Sequence, residues 1–327
     1  MMFPGVNAVN YNFGHIPLVD ISGSVWYDVD RDGVKDVAET TMLSGVTIEL
    51  KDSTGAVIST VTTDMNGNYL FSQVEIGTYT IVETQPTGYG SSTPNTLTVS
   101  ALTDTNVTGQ NFGETLSTVS GYMYIDLNKD NVNNSEAGLS GQTVTLTDGT
   151  TTWTTTTDTN GYYKFSDLLA GSYTLTDTNV SGYTNETGVA GTPFTGTGVV
   201  NGINTFAVTA GADGVNYNFG HIPLVDIQGS VWYDVNRDGV KDVAETTMLS
   251  GVTVELKNAS GTVVATVTTD INGNYLFSQV NAGTYTVVET QPAGYGSSTP
   301  NTLTVNALTS VTGHNSGETL STVSGYM

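Results

Sequence analysis

The 327-residue chain contains no cysteine. Disulfides, thiolate metal sites and cysteine catalysis are therefore excluded, and the chain must find its staples elsewhere. Basic residues are scarce: 8 Lys and Arg stand against 31 Asp and Glu, a formal net charge of −23. Nucleic-acid binding needs lysine and arginine to neutralise phosphates, and a membrane-surface anchor needs a polybasic segment, so the charge balance argues against both partners. A concentrated acidic surplus draws cations instead. No apolar run approaches the ~18 residues of a membrane span. Met1-Met2-Phe3-Pro4 lacks the basic and apolar regions of a signal peptide; export information is expected outside this chain or not at all. Nucleophile motifs, phosphate-cradling glycine loops and HExxH signatures are missing too. The three histidines, His15, His221 and His314, recur at one place in successive domain endings. That is repeat geometry rather than a catalytic cluster, and an enzyme is not expected.

What the chain has is threonine, glycine and repetition. Threonine supplies about a sixth of the residues and glycine 38 of them, a mixture that favours strands and turns over helices. Residues 21–103 align without gaps to 227–309, and 15 of those 83 positions differ. A diverged copy lies between them: Ser120-Gly121-Tyr122-Met123-Tyr124-Ile125-Asp126 parallels Ser22-Gly23-Ser24-Val25-Trp26-Tyr27-Asp28. Two repeat types alternate. The chain reads as the closing strand of a type 2 repeat (1–20), a type 1 domain (21–116), a type 2 domain (117–222), a second type 1 domain (223–320) and the opening strand of another type 2 repeat (321–327). Such a pattern suggests a window on a longer alternating array. The short connections at 15–20, 114–119 and 221–226 suggest domains set in line as a rod.

Each full repeat has the size of an immunoglobulin-like sandwich. In the first, strands are expected near 22–28, 46–51, 56–63, 68–72, 78–84, 95–100 and 107–112. Val46, Ile48 and Leu50 alternate with Thr47, Glu49 and Lys51, the period of a sheet with one buried face. Tyr69 with Phe71, Tyr79 with Ile81, and Leu97 with Val99 complete the expected core, and Asn66-Gly67 suits a turn needing positive φ. The fold class is all-β: tandem Ig-like sandwiches in a linear array.

The sharpest local signal is Asp28-Val29-Asp30-Arg31-Asp32-Gly33-Val34-Lys35-Asp36-Val37-Ala38-Glu39. Counted from Asp28, oxygen-bearing side chains fall at positions 1, 3, 5, 9 and 12 and glycine at 6, the ligand spacing of an EF-hand loop. Calcium takes six to eight hard oxygen ligands. The candidate set is Asp28, Asp30, Asp32, Asp36 and Glu39, with Val34 offering its carbonyl and Glu39 both oxygens. The third repeat offers Asp234, Asn236, Asp238, Val240, Asp242 and Glu245. The middle repeat is degraded: Asp126, Asn128, Asp130, Val132 and Asn134 keep their places, but Asn131 replaces the glycine, Ala137 holds position 12 and Glu136 comes one place early. A weaker middle site is expected. No helical periodicity flanks these loops, so the calcium loop is expected on a sandwich rather than between helices.

The runs GSVWYDVDRDG, GVTIEL, TTDMNGNYLF and GTYTIVETQPTGY, in that order, resemble the B-type repeats of Gram-positive surface adhesins, the SdrD B-like domains, relatives of the Cna B-like domains. The resemblance covers all three full repeats. It implies a seven-strand prealbumin-like, Greek-key sandwich, a calcium-rigidified stalk with head-to-tail neighbours, and an extracellular or cell-surface location, secreted or anchored by regions outside this chain. Further calcium ligands in the family point to Asp64 and Asp270, although turn capping suits them better. Related domains often carry a Lys–Asn isopeptide crosslink promoted by an acid, and Glu83 and Glu289 match that acid. The first strand Ser24-Val25-Trp26-Tyr27 has no lysine for it, so calcium rather than isopeptide staples are expected, with Lys51 and Lys257 on the second strand the nearest alternatives. Two functions stay open: a structural stalk or filament segment, and an adhesive module recognising a glycan or partner protein. The near-identity of the two type 1 copies favours the first.

Overall fold

The computed structural model describes residues 14–320, and no helix occurs among them. The first repeat is built from β1 (Leu18–Tyr27), β2 (Thr47–Lys51), β3 (Val57–Thr62), β4 (Asn68–Glu75), β5 (Gly77–Glu83), β6 (Gly90–Ser91), β7 (Thr96–Ala101) and β8 (Phe112–Thr115). They form two four-stranded sheets, ordered β4-β1-β8-β6 and β3-β2-β5-β7. The alternation seen in the sequence sets the burial: Val46, Ile48 and Leu50 are buried, as are Tyr69, Phe71, Ile81 and Val99, with Tyr79 and Leu97 packed against them. Each such side chain removed from water contributes roughly 1.5–3 kcal/mol, which is why a one-residue slip in register would be so costly. Gly67 closes the β3–β4 turn at φ 70°, and Asp64 Oδ1 accepts the amides of Asn66 and Asn68 at 2.8 and 2.9 Å. Asp270 does the same for Asn272 and Asn274, so both aspartates cap turns.

The closing strand differs from the expected 107–112. Val107 makes only an isolated bridge with Ile21, and the strand proper is Phe112–Thr115, running parallel to Val25–Tyr27. Residues 107–111 instead give their polar groups to strand β1: Asn111 Oδ1 accepts the Ser24 amide at 3.0 Å. At the other end, β1 begins at Leu18, and Leu18 and Val19 pair with Glu75 and Val74 of β4. Residues 1–13 of the expected closing strand at 1–20, and the whole expected opening strand at 321–327, lie outside the described residues.

The middle repeat comprises β9 (Ser117–Ile125), β10 (Thr143–Thr147), β11 (Thr152–Thr156), β12 (Tyr162–Leu168), β13 (Gly171–Asp177), β14 (Tyr183–Asn185), β15 (Thr197–Val199), β16 (Gly202–Val208), β17 (Asp213–Gly214) and the first residues of β18 (Phe219–Tyr233). Its core holds Met123, Val144, Leu146, Tyr163, Leu175, Phe206, Tyr217 and Phe219. It is longer than its sisters because of residues 187–200, which are tied back by bridges Thr187↔Val200, Val189↔Asn218 and Thr192↔Val215.

The third repeat restates the first with β18, β19 (Thr253–Asn258), β20 (Val263–Thr268), β21 (Asn274–Asn281), β22 (Gly283–Glu289), β23 (Tyr295–Ser297), β24 (Thr302–Ala307) and β25 (Ser316–Leu320). The anticipated boundary at 222/223 falls inside β18: Phe219–His221 pair with β9, and Leu224–Ser230 with β21. By contacts the chain groups into two compact units, one made of residues up to Val119 with Phe165–Ser172 and Ala207–Gly214, the other of the remainder.

Candidate metal centre

Strand β1 ends at Tyr27 because the next residue, Asp28, turns its carboxylate back into the protein. Asp28 is fully buried. Its Oδ1 accepts the Arg31 amide at 2.7 Å and its Oδ2 the Gly33 amide at 2.8 Å, with Arg31 and Gly33 both left-handed at φ 63° and 75°. Burial works to raise this carboxyl, and the Ser92 hydroxyl with the Gly33 and Arg31 amides outweighs it, so the group sits below its ordinary value. The loop thus wraps around a carboxylate that is ionised at neutral pH.

Asp28, Asp30 and Asp32 converge, each offering a carboxylate oxygen within 4.8 Å of the others. Asp30 feels the crowding. The Asp32 amide works to lower it, but desolvation, repulsion from Asp32, a carboxyl hydrogen bond with Asp28 and repulsion from Glu39 leave it above its ordinary value. A cation among these oxygens relieves that repulsion. Asp36 is exposed, and its amide donates to Glu39 Oε2 at 2.9 Å. Val34 is exposed, with its amide on Asp32 Oδ1 at 2.7 Å.

Glu39 is buried and engaged. Its Oε1 accepts the Val29 amide at 2.9 Å, and its Oε2 accepts both the Asp36 amide and the Trp26 indole Nε1, the latter at 2.8 Å. A carboxylate oxygen has about two lone-pair sites, so in this geometry Oε2 is filled and Oε1 keeps one. The position-12 glutamate ties the loop to a core tryptophan, a link that spacing alone did not reveal. Gly113, beside Trp26 on β8, leaves room for that ring, since a side chain there would meet its six-membered edge.

The third repeat repeats this closely. Asp234 accepts from Arg237 and Gly239 at 2.6 and 2.8 Å, and Glu245 accepts from Val235, Asp242 and Trp232. Asn236, in the place of Asp30, donates to Asp238 and Asp242 at 2.9 and 3.1 Å, and Val240 donates to Asp238. One charge fewer lets neighbouring carboxylates share an amide instead of repelling.

In the middle repeat Asp126 holds Lys129 and Asn131 at 2.5 and 2.7 Å. Asn131 takes the left-handed bend at φ 56° that glycine takes in the sister loops. Asn128 and Asn134 both donate to Asp130 Oδ2, at 3.0 and 2.8 Å, and Val132 donates to Asp130 Oδ1 at 2.9 Å. With Ala137 at position 12, Glu136 stands above its ordinary value through burial first and then Asp126. A residue that the spacing did not nominate joins them: Glu186, pushed up to about 7 by burial, then by Asp126 and by the charges of Glu136 and Asp130. It belongs to a stretch with no counterpart in type 1, so no alignment within the chain pointed to it. Ser92 and Ser298, whose hydroxyls help hold Asp28 and Asp234 below the ordinary value, were not nominated either, although both type 1 copies carry them.

Behind each loop lies a second buried pair linking the two sheets. In the first repeat it is Glu83 on β5 and Glu114 on β8, both buried, with Gln85 Nε2 donating to Glu114. Burial, and for Glu83 the adjacent Glu114, pushes both upward. Glu289 and Glu318 repeat the pair, with Gln291 as donor. In the middle repeat the same two places hold Asp177 and His221, with Nε2 3.2 Å from Oδ2 and Nδ1 3.2 Å from Asn185 Oδ1. His221 thus matches Glu318 rather than His314, which takes the place of Gln110, so the histidines do not share one place as their recurrence suggested. Lys51 and Lys257 sit on the opposite sheet face, each paired at 3.2 Å to Glu49 or Glu255.

Three matches to the SdrD B-like domain model cover residues 19–121, 117–220 and 226–325. The chain belongs to the SdrD B-like domain family. Among curated proteins this SdrD B-like array is similar to serine-aspartate repeat-containing protein F of Staphylococcus epidermidis, with 36% identity over 90% of this chain and 18% of that protein. It is also similar to serine-aspartate repeat-containing protein D of Staphylococcus aureus (strain NCTC 8325 / PS 47), with 34% identity over 90% of this chain and 23% of that protein. The chain thus spans about a fifth of the length of these relatives. Among solved structures, the Bacillus anthracis TIE protein aligns with 92% of this chain and 50% of its own at a TM-score of 0.38 and 18% identity. The full-length major pilin SpaD of Corynebacterium diphtheriae aligns with 97% of this chain and 100% of its own at a TM-score of 0.33 and 12% identity.

Proposed function

We propose that these SdrD B-like repeats form a stalk segment of an extracellular surface or matrix fibre, with calcium ions in the Asp28–Glu39 and Asp234–Glu245 loops, and more weakly in the middle loop, stiffening each repeat. The observation that carries this is the convergence of Asp28, Asp30 and Asp32, with Asp28 held ionised in the interior and Asp30 raised by its neighbours. Asp28, Asp30, Asp32 and one oxygen of Glu39 are the hard donors on offer; water and carbonyl groups would complete a calcium shell. Each loop joins β1 or β18 to the next strand and reaches the core through Trp26 or Trp232, so a cation there braces the sandwich rather than a loose turn. Repeats joined head to tail, with β18 passing unbroken from one to the next, suit a load-transmitting spacer.

Scanning calorimetry of the whole chain, first with calcium and then with excess chelator, tests the proposal. Binding that favours the native state raises the melting temperature by mass action. Equal melting temperatures would remove calcium from the account. Small-angle scattering in calcium that required freely jointed repeats would remove the rod.

A further inference from the structure

The middle repeat carries a cavity of about 670 Å³, within the roughly 300–1,000 Å³ of small-ligand sites. One wall is the loop from Asn131 to Glu136 and another is the added segment 189–192, held by the Val189↔Asn218 and Thr192↔Val215 bridges. The first repeat has a cavity of about 740 Å³ at the matching place, lined by Ser24, Asp64, Asn68, Gly109 and Asn111. The type 1 repeats have no counterpart to the added segment, however, and they carry Ser24 and Ser230 where the middle repeat has Tyr122.

The lining has a consistent chemistry. Asn131, Asn133, Asn160, Asn216 and Asn218 contribute five carboxamides, and no lysine or arginine joins them. Each carboxamide is both donor and acceptor. Tyr122, half-buried with its ring centroid 5.3 Å from that of Tyr162, presents an aromatic ring at the edge. Asn131 Oδ1 and Glu136 Oε2 are buried acceptors with no hydrogen-bond partner. Orphaned buried acceptors cost about 1–3 kcal/mol each until a donor arrives. An anionic ligand finds no cation here. A neutral ligand rich in hydroxyl groups meets paired donors and acceptors and an aromatic ring for its C–H face.

We propose that this cavity, lined by Tyr122, Asn131, Asn160, Asn216 and Asn218 in the middle repeat alone, binds a short neutral oligosaccharide. Type 2 repeats then add a glycan contact that the first repeat's cavity, without the Tyr122 ring and the 189–192 wall, does not reproduce. The proposal is independent of calcium in the outer loops.

The whole chain is titrated with maltotriose, cellotriose, chitotriose and mannotriose, and with sialyllactose as the anionic comparison. Calorimetry and saturation-transfer NMR provide the readouts, each run in calcium and in chelator. Two variants return the type 1 residue, Tyr122→Ser (matching Ser24) and Asn216→Gly (matching Gly109, left-handed at φ 73° as Asn216 is at 64°), so both keep a backbone that the sister repeats already use. Saturable binding of at least one neutral trisaccharide, weakened tenfold or more by either variant and stronger than for sialyllactose, is expected. No binding by any of the four at 20 mM, binding indifferent to both variants, or a response to calcium alone with none to sugar would overturn it.

Discussion

Replacing Glu289 by glutamine should make the third repeat less sensitive to alkaline pH. Glu289 is pushed from 4.5 to about 7, by burial first and then by Glu318. Between those values the unfolded chain has released the proton that the folded repeat still holds. The fold therefore binds more protons, and its stability falls as pH rises. The contribution of the raised carboxyl is complete below about pH 4.5 and gone once pH has passed about 7. The rise from 4.5 to about 7 corresponds to ~3 kcal/mol; screening through the partly solvated end of the site reduces this to ~1–2 kcal/mol. Glutamine keeps the shape of the protonated acid and has nothing to lose. Relative to the parent, E289Q should be near neutral at pH 5 and gain ~1–2 kcal/mol by pH 8. Hydrogen exchange in the full chain, corrected for intrinsic rates and read on peptides from β22 and β25, measures this, with peptides from β13 as an internal reference. A parent whose third repeat is equally protected at both pH values, or a variant with the parent's slope, would refute the reasoning.

Three further outcomes are expected. His221→Ala should destabilise the middle repeat by about 3–5 kcal/mol, because it leaves the buried Asp177 carboxylate with only the Asn185 amide at 3.3 Å; urea unfolding followed through Trp153 reads it, and a loss under ~1 kcal/mol would contradict the pairing. Gly33→Ala should cost about 1–2 kcal/mol, since φ 75° suits glycine, whereas Asn131→Gly should be near neutral or stabilising; thermal melts of the two variants should diverge in that direction. Isothermal titration should show calcium affinity falling more in Asp32→Asn than in Asp30→Asn, which only reproduces the Asp234–Glu245 loop, and Glu186→Gln should weaken only the middle site; an unchanged middle site would return Glu186 to a purely structural role.

Much of this protein was legible from its residues in order. The offset of the two type 1 copies, the alternation of Val46, Ile48 and Leu50, the turn at Asn66-Gly67 and the spacing from Asp28 to Glu39 are all local patterns. Strands and turns obey local rules of period and φ, so those patterns led directly to the sandwich and the loop. Asn131 is the same lesson at one residue: its tolerance of left-handed geometry kept the bend although glycine was gone.

The tertiary structure decided whatever depends on chain segments that meet only when the sheets close. The closing strand lies at Phe112–Thr115 rather than 107–112 because parallel pairing with Val25–Tyr27, not local alternation, sets its register. That closure places Glu114 opposite Glu83, and His221 opposite Asp177, though nothing near any of them in sequence announces a buried pair. It turns Glu39 toward Trp26, where spacing had pointed both its oxygens at a cation. It brings Glu186 and the 189–192 segment against the middle loop, giving that repeat a carboxylate and a cavity wall that the first repeat lacks. Side-chain period and turn chemistry are written along the chain, whereas the company of a buried carboxylate is set by which distant strands become neighbours.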